Sequence, residues 1–575
     1  TVTRQLRYSS RTNHEIDLTL FVNGIPVATA ELKNQLTGQN VEDAKRQYRT
    51  ERDPRELIFA KRTLVHFAVD QDLVFITTRL AGEKTRFLPF NVGSNGPGFS
   101  GGAGNPPAGP DGYGTSYLWR EVWQRDAWLD LLQRFLHVET TPARKGRTST
   151  IDPHPAPLIF PRFHQWHAVR ELTAHAQAHG AGHNYLIEHS AGSGKSNTIA
   201  WLAHRLSTLH DANNRPVFHK IIVITDRVVL DRQLQDTIYQ FDHVPGVVQK
   251  IDEDSEQLRD AVKGATARII ITTLQKFPYI LDKMPELGDR RYGIIVDEAH
   301  SSQSGESATA LKRALGRHGG DDIDDDGDPL TSSALARGRH PNLSYFAFTA
   351  TPKAKTLELF GTLDPHTGKK KPFHVYSMRQ AIEEGFILDV LYNYITYTAR
   401  WRLANAAVDA AEAADPEVDP RKAKAKLVRA AELHPSSQDA RAKIIVDHFR
   451  TEVAYRLGGR AKAMVVTRSR EHAVRLYQAI RRYIEKRAFT DCATLVAFSG
   501  TLNVDGIDYT ESKLNGFSES ALPAEFAYTK VDDPHAAVRN KTEYRILVVA
   551  EKYQTGFDQP LLTAMYVDKP LNGVA

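Results

Sequence analysis

Residues 185–206 read YLIEHSAGSGKSNTIAWLAHRL. YLIEHS is an apolar run of the kind that makes a buried strand, and TIAWLAHRL carries the spacing of an amphipathic helix. The glycine-rich turn between them is placed to hold phosphate. Backbone N–H groups of Ala191 to Gly194 can wrap phosphate oxygens at the positive end of the following helix. Gly192, Ser193 and Gly194 form the cradle, Lys195 reaches the β- and γ-phosphates, and the Ser196 hydroxyl takes Mg²⁺. The pattern G-x-x-x-x-G-K-[ST] is broken at its first position by His189, but the glycines nearest the phosphates are kept. The competing reading is a chance GSGK in a flexible loop. A strand, a phosphate loop and a helix predict an α/β fold built on a parallel sheet.

About 100 residues later, YGIIVDEAH (292–300) ends an apolar strand on two adjacent carboxylates. Asp297 can hold the hydration shell of Mg²⁺, and Glu298 can orient or deprotonate the water that attacks a γ-phosphate. Acidic residues at a strand end also occur as solvated caps. Their position downstream of a phosphate loop favours the catalytic reading. Upstream, FPRFHQWHAVREL (160–172) puts Gln165 about one helix before the loop. A carboxamide offers one donor and one acceptor, which suits the N6/N7 edge of adenine, so Gln165 is a candidate for adenine selection. A plain helix-surface glutamine fits the same spacing.

A second chemistry stands near the start of the chain, in NHEIDLTLFVNGIPVATAELKNQ (13–35). Strands Ile16–Val22 and Val27–Lys33 flank Asn23-Gly24, a hairpin signal. Asp17, Glu31 and Lys33 form the D…E-x-K set of metal-dependent nucleases. Two carboxylates bind Mg²⁺ there, and the lysine steadies the attacking water or the developing charge. A two-residue turn pairing Val22 with Ile25 would send Asp17 and Glu31 to opposite faces. A three-residue or bulged turn brings them to one face and is therefore expected. Alternation on a solvent-facing strand accounts for an E-x-K without any chemistry.

These segments, in this order, resemble a superfamily 2 nucleic-acid motor. KIIVITDRVVLDRQL (220–234) and IIITTLQKF (269–277) resemble elements that touch the nucleic-acid backbone in a first RecA-like lobe. FAFTATP (346–352) resembles the segment that couples hydrolysis to movement, implying that role for Thr349, Ala350 and Thr351, together with His300 of the DEAH stretch. AKAMVVTRSREHAV (461–474) and RILVVAEKYQTGFDQPLL (545–562) resemble strands of a second lobe, with Gly556 and Asp558 in its phosphate-sensing turn. IDLTLFVNGIPVATAELK, with LIFAKRTLVHFAVDQDLVFITTRLAG and TRFLPFN after it, is similar to the nuclease domain of the restriction (R) subunit of type I restriction-modification enzymes. That resemblance covers nearly the whole chain.

The resemblance implies an ATP- and Mg²⁺-dependent translocase of double-stranded DNA that also cleaves it, working with separate modification and specificity subunits. Two departures stand out: the Gln-x-x-x-Tyr helix of the family is replaced by adjacent Gln47 and Tyr48, and the chain stops at DKPLNGVA, before the family's Gln-x-x-x-Arg segment. ATP binding with slow hydrolysis is the expectation for these residues alone. The main rival is a repair or remodelling translocase or helicase whose first domain only binds DNA. A regulatory nucleotide switch is the non-catalytic alternative.

Composition is compatible with this reading. The chain has 575 residues, a net charge of +5, one cysteine and 23 histidines without Cys/His zinc spacing. DNA contact would come from local basic surfaces, not a basic tail. No apolar run approaches a membrane span and no signal peptide is visible, so cytoplasmic residence is expected and no membrane partner is. The breaks suggest a nuclease domain at 1–142, a linker at 143–157, a first lobe at 158–378 and a second at 379–575. GSNGPGFSGGAGNPPAGPDGYG (93–114) reads as a mobile loop and SYLWREVWQRDAWLDLLQRF (116–135) as a helix packing Trp119 and Trp123. DDIDDDGD (321–328) reads as a solvated insertion, and about 398–435 as inserted helices.

Overall fold

The computed structural model describes residues 1–107, 112–139, 157–225, 234–235, 237–240, 246–251, 257, 261, 264, 267–273, 290–299, 341–365, 367–389, 433–504, 506–536, 541–553 and 557–569. The chain forms two compact units, Thr1–Tyr394 and Ile395–Ala575. The parallel sheets expected of an α/β protein are present in both.

The first unit opens with a six-stranded sheet in the order β1 (Val2–Arg7), β2 (Glu15–Val22), β3 (Ile25–Leu32), β4 (Val65–Val69), β5 (Val74–Thr77) and β6 (Leu88–Pro89). Only β3 and β4 run parallel, joined through helix α1 (Val41–Thr50). A reciprocal cap starts α1: the Asn40 side chain accepts from Glu42 N–H, and Asp43 accepts from Asn40 N–H.

Of the expected three-residue or bulged turn, the β2–β3 hairpin has a bulge but not the longer loop. Val22 pairs with Ile25, and Asn23 and Gly24 take φ of 49° and 79°, the geometry of a two-residue turn. The extra residue lies inside the strand, because Phe21 pairs with Pro26 but Leu20 pairs with Ala28. Pro26 has no N–H to give the ladder, which makes this the natural place for a bulge. Beyond it Thr19 faces Thr29 and Leu18 faces Ala30, a register that sets Asp17 opposite Glu31.

A short antiparallel pair, β7 (His137–Val138) and β8 (Leu158–Ile159), precedes the second sheet of this unit. Most of the expected linker lies outside the described residues. Seven parallel strands follow in the order β11-β12-β10-β13-β14-β9-β17. They are β9 (Asn184–His189), β10 (Lys220–Thr225), β11 (Val248–Lys250), β12 (Ile269–Thr273), β13 (Tyr292–Val296), β14 (Leu343–Thr349) and β17 (His374–Tyr376). The short pair β15 (Thr362–Leu363) and β16 (Lys370–Lys371) stands aside. β10 and β13 are buried at every position, as continuous apolar runs in a covered parallel sheet must be.

The two sheets of the first unit share one core. Phe67 of β4 and Phe90 meet edge-to-face, both contact Phe160, and Phe90 meets Phe163 at the start of helix α3 (Phe163–His179). Trp201 of helix α4 (Lys195–Ser207) donates its indole N–H to the Phe135 carbonyl (3.0 Å).

Two local expectations are revised. The stretch 116–135 breaks at Gln124, whose φ of −61° and ψ of 140° are extended, so helix α2 (Arg125–Arg134) stands separate. Trp119 is consequently exposed against Tyr113, while Trp128 is buried. The Gly/Pro-rich segment, expected to be mobile, is tied by Gly93 N–H to Gly104 O (2.8 Å) and Ser94 N–H to Gly102 O (2.9 Å) over its described part. The unit also runs past the expected lobe boundary at 378, through helix α5 (Met378–Glu383).

The second unit carries four parallel strands in the order β19-β22-β18-β23: β18 (Lys462–Thr467), β19 (Ala493–Ala497), β22 (Tyr544–Val549) and β23 (Leu562–Asp568). β20 (Leu502–Val504) and β21 (Ile507–Tyr509) make a small hairpin. Helices α6 (Pro435–His448) and α7 (Arg470–Lys486) pack Ile445, Leu476 and Ile480 against Val465 and Val548. The acidic run and nearly all of the expected helical insertion lie outside the described residues. Among the described residues no helix is long and apolar enough to cross a membrane.

Candidate functional site

β9 ends at His189, the loop spans Ser190–Gly194 and α4 begins at Lys195. Gly192 and Gly194 have φ of 71° and 76°, and a Cβ on Gly194 would lie 2.5 Å from Gln165 Nε2. Only glycine meets both constraints. Three loop carbonyls are drawn toward the start of α3. Arg162 Nη2 donates to Gly192 O (2.8 Å), and Gln165 Nε2 donates to Ser193 O (3.2 Å) and Gly194 O (3.0 Å). His164 Nε2 also lies 3.0 Å from Ser193 O. A peptide's C=O and N–H point in opposite directions, so the N–H groups of Gly194 and Lys195 are turned to the other side of the loop.

This arrangement corrects the adenine assignment of Gln165. Its Nε2 spends both hydrogens on the loop and its Oε1 accepts from Arg162 N–H (2.9 Å), so the side chain braces the cradle instead of presenting a free edge to a base. Sequence reasoning passed over Arg162, three residues before it. Its guanidinium lies 3.9 Å from the Phe386 ring centroid, is 8% exposed as a residue and keeps Nη1 buried without a partner. Ser193 Oγ is likewise buried and unpartnered. Both are buried donors left unsatisfied beside the loop.

All strands of this sheet run parallel, so β9, β13 and β14 deliver their C-terminal ends to one edge. Asp297 and Glu298 leave β13 there. Glu298 Oε1 stands 3.2 Å from Lys195 Nζ, and Asp297 Oδ1 accepts from Glu298 N–H (3.0 Å). Glu298 holds φ of 50°, a left-handed conformation costing about 1–3 kcal/mol in a non-glycine residue. Thr349 is buried at the end of β14 and accepts through Oγ1 from Thr351 N–H (3.2 Å), with Ala350 between them. Ser196 lies in the first turn of α4. His300 and Gly556 lie outside the described residues, and Asp558 is exposed in the second unit.

The hairpin forms a separate group in the same unit. Asp17 Oδ2 accepts from Leu32 N–H (2.8 Å) and lies 3.8 Å from Lys33 Nζ. Glu31 is fully buried and its Oε1 receives Arg52 Nε at 2.7 Å; Arg52 also donates to Glu15 O (2.8 Å). Burial pushes the Glu31 carboxyl up to about 7, against the pull of Arg52. Arg52 was not foreseen, since nothing in the spacing of ERDPRE marks it. Tyr48 lies behind the strand, buried, with its hydroxyl 2.8 Å from Thr29 Oγ1.

A divalent ion can be tested against these residues. Glu31 Oε2 is buried without a partner and Asp17 supplies a second carboxylate, a hard-oxygen pair that suits Mg²⁺. Among the described residues no cluster of three or more His, Cys, Asp or Glu forms a metal-ligand group. The hairpin therefore offers two carboxylates, and water and phosphate oxygens would complete a coordination shell.

Comparison with known proteins assigns two stretches of the chain. Residues 1–96 match the model of the type I restriction enzyme R protein N terminus, and residues 164–424 match that of the SWI2/SNF2 ATPase. The HindI endonuclease subunit of a type I restriction enzyme from Haemophilus influenzae is 26% identical, the match covering 97% of this chain and 48% of that protein. A putative type I restriction enzyme MjaIXP endonuclease subunit from Methanocaldococcus jannaschii is 24% identical, covering 96% and 48%. The solved fragment of a putative HsdR subunit of a type I restriction enzyme from Vibrio vulnificus aligns over 100% of this chain and 82% of its own, at 15% identity and a TM-score of 0.42. The chain spans about half the length of the curated relatives it matches. The chain thus carries an R-protein N terminus followed by a SWI2/SNF2 ATPase domain, and over nearly its whole length it is similar to endonuclease subunits of type I restriction enzymes.

Proposed function

We propose that this chain binds and hydrolyses ATP to move double-stranded DNA and cleaves that DNA through its N-terminal hairpin, as the restriction subunit of a type I complex. The observation that carries the motor half is Lys195 facing Glu298 across the mouth of the loop. In this reading the N–H groups of the cradle and Lys195 hold the β- and γ-phosphates, and Ser196 and Asp297 hold the accompanying Mg²⁺. Glu298 orients the water that attacks the γ-phosphate. Thr349, Ala350 and Thr351, with His300, relay the change in bound phosphate to the DNA-contacting surface.

For cleavage, Asp17 and Glu31 are the proposed ligands of a divalent ion, with Lys33 beside Asp17 as the group that steadies the attacking water or the phosphate. When bound, Mg²⁺ would supply charge neutralisation at the scissile phosphate. Sequence specificity and methylation would reside in separate specificity and modification subunits, and the complex would work in the cytoplasm. Gly556 and Asp558 are proposed to sense phosphate from the second lobe. The domain extents proposed are 1–142, 158–378 and 379–575.

Closed-circular DNA incubated with the full-length subunit, its modification and specificity partners and Mg²⁺ tests this, with ATP present or omitted. Linear product only with ATP, abolished separately by Lys195→Ala and Asp17→Ala, is the expected result. One observation favours a second reading: Glu31 is committed to a buried pair with Arg52. ATP consumption without cutting would support a translocase whose N-terminal domain binds DNA but does not cleave it.

A further inference from the structure

β17 is an edge strand with two attachments. Toward the phosphate loop it pairs with β9, Tyr376 opposite His189, and Ser190 N–H donates to Tyr376 O (3.0 Å). Toward the N-terminal domain, Val375 N–H donates to Gly98 O (2.9 Å), so the Gly/Pro-rich loop supplies the hydrogen bond a further strand would have made. Just after β17, Glu383 Oε2 accepts from Ala103 N–H (2.7 Å). The loop's glycines are needed for this close approach: a Cβ on Gly98 would meet His374 Cδ2 at 3.0 Å, and one on Gly102 would meet Glu383 Oε2 at 2.3 Å.

His374 joins the two attachments. Its Nδ1 lies 3.0 Å from His189 Nε2 at the mouth of the cradle, and its Nε2 lies 3.1 Å from His167 Nδ1 on α3. Burial holds His189 near a pKa of about 3 and His167 near about 4, so these rings are neutral at ordinary pH. A neutral imidazole donates through one nitrogen and accepts through the other, so His374 can satisfy both neighbours at once and fix the tautomer of each.

We infer that His374 is a positioning residue for the phosphate loop, held in place by the docked Gly/Pro-rich loop of the N-terminal domain, so that nucleotide affinity depends on that docking. The inference rests on the reading of residues 190–196 as an ATP site. Its physical content is reciprocal: if docking favours the loop conformation that binds nucleotide, weakening the dock must weaken binding.

The test is calorimetric titration of the whole chain with a non-hydrolysable ATP analogue and Mg²⁺, with thermal unfolding measured in parallel. His374→Leu should raise Kd by about five-fold, the loss of one buried hydrogen bond. Asn carries a polar atom at the place of Nδ1, so His374→Asn should return Kd to near the wild-type value. Gln reaches toward His167 and not toward the loop, so His374→Gln should resemble Leu. Glu383→Ala, which removes the Ala103 contact and an exposed pair with Arg379 but no contact to the phosphate loop, should shift Kd in the same direction with little change in unfolding temperature. Asn and Leu giving equal affinities, or Kd tracking unfolding temperature alone, would overturn the inference, as would an unchanged Kd in Glu383→Ala. A wild-type chain that fails to bind the analogue would remove the ATP reading itself and this inference with it.

Discussion

Lys195 Nζ stands 3.2 Å from Glu298 Oε1, although the two residues lie more than 100 positions apart in the sequence, one opening helix α4 and the other just past the end of β13. Each side chain is largely buried, so the pair fixes the ammonium over the cradle before any ligand arrives. The separate roles proposed for the two residues imply separable losses. Lys195→Ala should abolish analogue binding. Glu298→Gln should preserve binding within a few-fold and lower kcat for ATP by about 10²–10⁴, the usual contribution of a general base. Equal kcat for wild-type and Glu298→Gln would remove Glu298 from the chemistry.

Gln165 gives a second test, because bracing and base recognition predict different specificities. A brace acts on the phosphate cradle, which ATP and GTP share. Gln165→Ala should weaken binding of both nucleotides by a similar factor, about 25-fold for two lost hydrogen bonds. Competition titrations of ATP and GTP against one labelled analogue measure this. A loss confined to ATP would restore the adenine contact.

What was legible in the sequence follows physical range. The strand, cradle and helix of 185–206 are local, and their periodicities survive in the fold unchanged. The Asn23-Gly24 turn and the one-face register of Asp17 and Glu31 were equally legible, but the place of the bulge was not: it depends on Pro26 lacking an N–H and on its partner strand, information spread over both strands. The Gly/Pro-rich segment misled because glycine content reads as mobility, whereas here the missing side chains allow close packing on His374 and Glu383. Arg52 and Arg162 left no signal because each acts through a contact set by tertiary packing.

Arg52 can be tested through stability. It and Glu31 are both almost fully buried, at 2% and 0% side-chain exposure. Removing one member leaves the other's charge buried without its partner, which costs about 3–5 kcal/mol, whereas replacing both with apolar groups costs much less. Arg52→Leu should therefore destabilise strongly in urea unfolding, and Arg52→Leu with Glu31→Leu should recover much of that loss. Asp17→Ala, at a partly exposed carboxylate, should leave stability nearly unchanged while abolishing cleavage. A double variant as unstable as the single one would mean that shape, not charge, governs this corner.

Among the described residues of the first unit, four buried histidines and the half-buried His167 have pKa values below the ordinary 6.5: His66 at about 3, His167 at about 4, His189 at about 3, and His164 and His374 lowered in the same direction, each chiefly by desolvation. Between 6.5 and these values the unfolded chain binds protons that the folded chain refuses. Stability is therefore fully present above pH 6.5 and is lost as pH falls toward 4, each histidine contributing about 1.4 kcal/mol per pH unit within its own window. Tryptophan fluorescence reports this unit, which holds Trp119, Trp123, Trp128, Trp166 and Trp201. Urea midpoints should drop steeply between pH 6.5 and 5. His167→Asn, which keeps a polar atom at the position of Nδ1, should flatten that slope by about one histidine's share. A midpoint independent of pH across this range would show that these rings are protonated in the folded protein and that His189, His374 and His167 do not form a neutral chain.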